Sequence, residues 1–188
     1  MKNVVHNIIT EFAPVSINET EKLLEKWIAR ELKQQDNFIE IGQRNNLVGF
    51  LKTGLLRSYY YDDNGNEQTT AFIEQGSFFS ELKSYQTQEP SERTIEALEP
   101  SEIFVLTTND IKDLRKTIPN WELFEIKYFE KILREKVNFQ RELLTKSSKK
   151  EALELFIKEY PQSAKYAPRQ YIASFLGMSP YTLSRIKL

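Results

Sequence analysis

The residues best suited to chemistry lie in the last twenty of the chain, Arg169 to Leu188, reading RQYIASFLGMSPYTLSRIKL. Their chemistry is recognition rather than bond-breaking. Tyr181, Thr182, Ser184 and Arg185 place hydroxyls and a guanidinium on one side of a short helix, all able to reach into a groove. Ser179 is a good N-cap, and Pro180 stands at the first helical position, where its missing N–H costs nothing. Before them runs a short helix whose Ile172, Ala173 and Leu176 form an apolar face. Gly177 follows, at a point where a chain leaving a helix often needs the left-handed conformation. Leu183 and Ile186, three apart, would pack the second helix back on the first. This is the grammar of a helix-turn-helix. An ordinary αα-hairpin shares the spacing and stays open as the alternative.

The charge distribution supports a polyanion partner at this end only. The 188 residues carry a formal net charge of −1. Residues 1–130 hold fourteen Lys and Arg against twenty-two Asp and Glu, whereas 131–188 hold twelve against five. An acidic front with a basic rear suggests that the rear meets the polyanion. A solvated basic face would look the same.

Several chemistries are excluded by composition. With no cysteine there is no disulfide, no thiolate-held iron–sulfur cluster and no redox-sensing thiol. The one histidine, His6, lies near an N-terminus expected to fray, so no axial haem ligand and no clustered-histidine metal centre are expected. No phosphate-binding glycine loop and no nucleophile motif occurs, so no catalytic residue is assigned. No apolar run approaches a membrane span, and MKNVVHNIITEFAP lacks the apolar core of a signal peptide. A cytoplasmic protein without cofactor or metal is expected.

The elements that must position the terminal motif come before it. Ser16-Ile-Asn-Glu19 is a capping box. It opens a helix expected to run to about Lys33, with Leu23, Leu24, Trp27 and Ile28 as its stripe. From Asp36 to about Leu106, short β-branched and aromatic runs alternate with turn signals, and Gly42, Gly54 and Gly76 mark strand ends. Asp62-Asp63-Asn64-Gly65-Asn66 between LRSYYY and QTTAFI is a hairpin turn. Many short strands with regular turns predict a sandwich, jelly roll or small barrel. Leu56, Ser58 and Tyr60 would share one face, and Arg57, Tyr59 and Tyr61 the other. Neither face is purely apolar, so periodicity does not choose the inner one. Phe78 to Leu82 and the polar KSYQTQEPSE form a helical turn and loop, either a ligand cradle or a plain surface loop.

A short helix over Asp110–Lys116 precedes a long one from about Asn120 to Thr145. Trp121, Phe124, Tyr128, Ile132, Phe139 and Leu143 make one stripe on it; Leu123, Ile126, Leu133, Val137 and Leu144 make a second. Two stripes suggest that one packs on the β-roll and the other on a second copy in a parallel coiled coil, with Glu135 an imperfection in the seam. Burial of both within one chain is the alternative. Ser148-Lys-Lys-Glu151 then reads as another capping box, opening a helix that stops at Tyr160-Pro161.

The order helix, β-roll, long helix, helix-turn-helix resembles the Crp/Fnr family of bacterial transcription regulators across essentially the whole chain. The resemblance rests on the glycine-marked roll, on Ser80-Glu81 after Phe79, and on IASFLGMSPYTLSRI. It implies an α+β protein: a cyclic-nucleotide-binding-like β-roll with its N-terminal helix over 1–118, a dimerisation helix over 119–146, and a DNA-binding domain over 147–188. It also implies a homodimer through that helix on a near-palindromic DNA operator, with RNA polymerase a further candidate partner. Arg169 and Gln170 would touch phosphates. Ser179, Tyr181, Thr182 and Arg185 would face DNA, Arg185 being the best base contact because a guanidinium bonds guanine O6 and N7 together. The family's frequent Arg-Glu pair is replaced by Pro180-Tyr181, so its usual operator does not carry over.

The effector pocket departs further from the family. Ser80-Glu81 keeps the acid that meets the ribose but lacks the preceding glycine. The phosphate-binding arginine position falls on Ser91, with Arg93 two residues on as the substitute. Without that bidentate cation a cyclic phosphate loses its strongest bond, so cyclic AMP is not the expected effector. The alternative function is a ligand-binding or dimerisation module with weakened DNA binding, an expectation fed by the early stop at Leu188.

Overall fold

The structure is a computed structural model and describes residues 2–186. Helices α1 (Lys2–Thr10) and α2 (Ile17–Lys26) come first. Strands β1 (Ile28–Leu32), β2 (Asn37–Ile39), β3 (Leu47–Thr53), β4 (Leu55–Tyr61), β5 (Glu67–Glu74) and β6 (Phe78–Phe79) follow. A short α3 (Leu82–Thr87) leads to β7 (Thr94–Ala97) and β8 (Ser101–Thr107). The rest is helical: α4 (Thr108–Thr117), α5 (Trp121–Leu144), α6 (Lys149–Glu159), α7 (Pro161–Tyr166), α8 (Arg169–Phe175) and α9 (Pro180–Arg185). The α+β order of a β-roll, a long helix and short terminal helices is as expected. By contacts the chain divides into two compact units. One joins the residues up to Ile28 with Val105–Thr145; the other joins Ala29–Phe104 with the residues from Lys146 on.

The first unit is helical. Its capping box forms as read, Ser16 Oγ accepting from Glu19 N while the Glu19 carboxylate accepts from Ser16 N at 2.7 Å. The helix it opens stops at Lys26, however, and Ile28 already belongs to β1. Helical spacing persisted through Ile28 in the sequence, but strand pairing decides the boundary. The N-terminus does not fray at His6 either. It forms α1, with Val5 and Ile9 fully buried and His6 Nδ1 2.9 Å from Thr20 Oγ1. Phe12, just beyond α1, meets Phe124 and Tyr128 of α5 edge-on at 6.2 and 5.5 Å. The first stripe of α5 packs on the N-terminal segment through Phe124 and Tyr128. The second stripe stays open: Leu123, Ile126, Leu133, Val137 and Leu144 are all exposed.

The second unit holds the strands and the C-terminal helices. Two four-stranded sheets have the orders β1-β8-β3-β6 and β2-β7-β4-β5. The Asp62–Asn66 turn joins β4 to β5 in antiparallel register, Leu56 opposite Ile73 and Arg57 opposite Phe72. Gly54 between β3 and β4 has a φ of +104°, and a Cβ there would collide with Ser101, so only glycine fits. Residues 55–59 of β4 are all buried, on both faces. Leu56 and Ser58 line one side. The Arg57 side is covered by the terminal helices, where Phe72 meets Phe156 at 5.6 Å and Phe175 at 5.3 Å. Those helices number four among the described residues, one more than the helix after Ser148 and the two of the terminal motif. Pro161 does not simply end α6; it stands at the first position of α7, where its missing N–H is harmless.

Candidate nucleic-acid interface

Helices α8 and α9 form the helix-turn-helix. Ile172, Ala173, Leu176 and Leu183 are buried between them and their neighbours. Gly177 takes φ +61°, and Met178 N donates to Ala173 O at 2.9 Å, closing α8 with a Schellman-type turn. Ser179 caps α9, its Oγ accepting from Thr182 N at 3.0 Å. That hydroxyl also lies 2.8 Å from Thr182 Oγ1, so Ser179 and Thr182 use their polar groups first on each other. Tyr181, Ser184 and Arg185 stand exposed, and Arg185 Nη1 donates to Tyr181 Oη at 2.9 Å. The phenol thereby holds the guanidinium away from solvent-averaged rotamers, a form of pre-organisation. Arg169 and Gln170 are exposed at the start of α8. Arg169 also reaches across the motif, Nη2 donating to Leu183 O at 2.9 Å, a cation at the carbonyl end of α9.

Opposite the turn lies the tip of the β4–β5 hairpin. A cleft of about 430 Å³ is lined by Asn66, Glu67 and Gln68 on one side and by Gln170, Ser174 and Gly177–Pro180 on the other. The hairpin wall is rigid because Asp62 accepts from Asn64 N and Asn66 N, each at 2.9 Å, and from Gln68 Nε2 at 2.9 Å. The Asn66 backbone bond first, with the Gln68 amide, holds the Asp62 carboxyl below its ordinary range.

The other expected residues lie elsewhere in the same unit. Glu81 is buried, but its Oε2 accepts from Ser84 N at 2.8 Å and caps α3. Ser80 Oγ donates to Leu47 O at 2.8 Å and accepts from Asn45 Nδ2 at 2.8 Å. Asn45 is the residue that sequence reasoning missed: it is buried, its Nδ2 donates also to Glu81 O, its Oδ1 accepts from Leu47 N, and its backbone N–H donates to Ser84 Oγ. Only the Asn45-Asn46 pair ahead of a strand could have signalled it. Ser91 is buried and hydrogen-bonds Arg93 at both ends, its Oγ donating to Arg93 O at 2.6 Å and accepting from Arg93 N at 3.1 Å. Arg93 itself is exposed and precedes β7, which begins at Thr94, so it shares no strand face with Ser91. The structure therefore gathers Ser80 and Glu81 around Asn45, and pairs Ser91 with Arg93, through bonds within the protein. Among the described residues no group of three or more His, Asp and Glu is placed to hold a metal ion.

A second unforeseen feature is Arg57, 1% exposed on the outer side of β4. Its Nε and Nη2 donate to Glu96 at 2.9 and 2.8 Å, and Nη2 also pairs with Glu67. The guanidinium carbon stands 4.1 Å from the Tyr59 ring centroid and 3.4 Å from that of Tyr171 in α8. Burial, with the Tyr61 hydrogen bond and the Glu67 charge, pushes the Tyr59 phenol up to about 12.

Residues 29–117 match the family described as the cyclic nucleotide-binding domain. Among solved structures the chain is similar to the c-di-GMP-responsive global regulator CLP of Xanthomonas campestris, with 13% identity over 90% of this chain and 89% of that one, at a TM-score of 0.69. It is also similar to the catabolite activator protein of Thermus thermophilus (20% identity, 95% and 83% covered, TM-score 0.60). FixK2 of Bradyrhizobium japonicum is a third (18% identity, 85% and 81% covered, TM-score 0.65). At these identities the likeness is one of fold. No protein of curated function matches the chain.

The chain thus carries a cyclic nucleotide-binding domain. The architecture built around that domain is the one found in the Crp/Fnr-family transcription regulators, a likeness of fold. Among the described residues, no helix is long and apolar enough to cross a membrane.

Proposed function

We propose that this protein is a cytoplasmic, homodimeric transcription regulator that reads double-stranded DNA with α9. The observation that carries the reading is the presented face of that helix: Tyr181 and Arg185 exposed and bonded to each other, on a helix capped by Ser179 and braced by Arg169. Arg185 takes the base edge, a guanine for preference. Arg169 and Gln170 sit where phosphates would pass. Ser179 and Thr182 set the helix entry more than they read bases, and the second copy docks on the open stripe of α5. RNA polymerase is the partner through which a bound regulator would act.

Fluorescence anisotropy on duplexes selected from a random pool, repeated across salt, tests the reading. Specific binding with a steep salt slope is expected, since each neutralised phosphate releases counterions. Absence of binding even at low salt would leave the alternative, a ligand-binding or dimerisation module of the same fold. Arg185→Ala is expected to remove discrimination at one base position, at a cost of about 1–3 kcal/mol, while the salt slope barely changes. Unchanged specificity would show that another helix reads the DNA.

The effector pocket supports a ligand other than cyclic AMP. The position that should carry a phosphate-pairing arginine is Ser91, whose hydroxyl is engaged with Arg93, and the Glu81 carboxylate is engaged with Ser84. Arg93 is the one residue of the expected set with an exposed cationic head for an anionic effector. Labelled cyclic AMP titrated into the pure protein is expected to show no saturable micromolar binding. Saturation in that range would mean that the Asn45 network opens to admit it.

A further inference from the structure

β5 is the edge strand of its sheet, and an open edge leaves N–H and C=O groups without partners. Here the terminal helices supply partners at its two ends. Ser174 of α8 stands in for a neighbouring strand: its Oγ accepts from Thr69 N at 2.9 Å and donates to Glu67 O at 3.1 Å. At the far end, Glu74 Oε1 accepts from Ser163 N and Oγ at 2.7 and 2.8 Å, and Gln75 N donates to Gln162 Oε1 at 3.4 Å. The sheet's outer face is sealed by the same helices. Phe72 enters a cluster in which Phe156 stacks on Tyr160 at 5.4 Å and lies 5.6 Å from Phe175. Arg57 is clasped between the Tyr59 and Tyr171 rings.

We propose that the helix-turn-helix is seated on the β5 edge as a lasting part of the β-roll, and that roll and motif meet DNA as one body. Arg57, Tyr171 and Ser174 are then positioning residues for the recognition helix, touching no DNA themselves. This rests on the DNA-reading function proposed above.

Three observations carry it. Contacts between parts of a chain that swing apart are small and polar. This one instead contains an aromatic cluster resembling a domain core. Unseating α8 would strip Tyr171 from a guanidinium that is 1% exposed, and would open the Glu96 carboxylate bound to it. Finally, Tyr181, Ser184 and Arg185 are already exposed in the seated arrangement, so no release is needed to present them.

A cross-link tests the proposal directly. The chain has no cysteine, so Thr69→Cys with Ser174→Cys introduces one pair only. The 2.9 Å bond between Ser174 Oγ and Thr69 N limits the two Cα atoms to about 7 Å, within a disulfide's reach. The probe is the duplex selected by the wild-type protein. The oxidised double variant is expected to bind it within about threefold of the reduced form. A loss of tenfold or more on oxidation, restored by reductant, overturns the proposal, because DNA binding then requires the motif to leave its seat. Should the wild-type protein select no duplex, the DNA-reading function itself fails and this inference with it.

Tyr171 gives a second readout should the double variant fold poorly. Tyr171→Phe keeps a ring on Arg57 and is expected to bind as wild type does. Tyr171→Leu should weaken binding to the selected duplex tenfold or more, yet leave salt-dependent binding to unrelated DNA unchanged. Tighter specific binding by Tyr171→Leu would mark the seat as a brake and overturn the proposal.

Discussion

Arg57→Ala is expected to lower the unfolding free energy by about 3–5 kcal/mol, the range for breaking one side of a buried ion pair. The substitution removes both bonds to Glu96, which is only 8% exposed. It also leaves Tyr59 and Tyr171 facing a void where the guanidinium stood. Glu67 matters less, because its side chain is 34% exposed and water can replace Arg57 there. Urea unfolding read by tryptophan fluorescence and by circular dichroism checks the value, with an unchanged m showing that stability rather than compactness altered. The double variant Arg57→Met with Glu96→Leu should recover much of the loss, since an apolar pair of similar volume removes the stranded charge. A single-variant loss below about 1 kcal/mol would show that Glu96 is solvated, and the clasp weak.

The face that carries Arg57 also explains what the sequence concealed. Alternation along LLRSYYY found no apolar side because both sides of β4 are covered, one by the roll and one by the terminal helices. The outer cover is built from aromatic rings around an ion pair, which periodicity reads as surface. Local signals fared better. The Ser16–Glu19 box, the Asp62–Asn66 turn and the Gly177 exit all encode backbone geometry within a few residues, and each forms as read. Where two local signals competed, the weaker one was hidden. Pro161 reads equally as a stop and as a first helical residue, and only packing of Ser163 against Glu74 shows that a helix follows. Likewise Trp27 and Ile28 keep helical spacing, yet strand formation claims Ile28. In the effector pocket, Glu81 was legible as a carboxylate in the right place, and its bond to Ser84 N is a local helix cap; what lay hidden is Asn45, 39 residues before Ser84, whose N–H donates to Ser84 Oγ and whose side-chain amide donates to Glu81 O. Nothing in the spacing of the cassette itself could reveal that.

Leu133→Glu is expected to convert the proposed dimer into a monomer. On α5 the exposed apolar residues Leu123, Ile126, Leu133, Val137 and Leu144 recur at the three- and four-residue steps of a heptad seam. Continuing that heptad brings Glu130 and Gln140 into the seam, while Glu135 falls outside it, 4.0 Å from Lys131 on its own helix. The seam is thus weaker at Glu130 and depends on its apolar steps, of which Ile126 and Leu133 are each 64% exposed in the single chain. A buried leucine contributes about 1.5–3 kcal/mol, and in a symmetric dimer the substitution acts twice. Facing carboxylates add repulsion across the axis. The dissociation constant should therefore rise by about 10²–10⁴-fold, read by sedimentation across a concentration series. Leu133→Met, which keeps the apolar volume, should dimerise as wild type does. On DNA the Glu variant should hold single half-sites only weakly, because binding the second half-site no longer follows from binding the first. A wild-type chain that sediments as a monomer at high concentration would show that the stripe is no seam between copies, and the open face of α5 would then need another occupant.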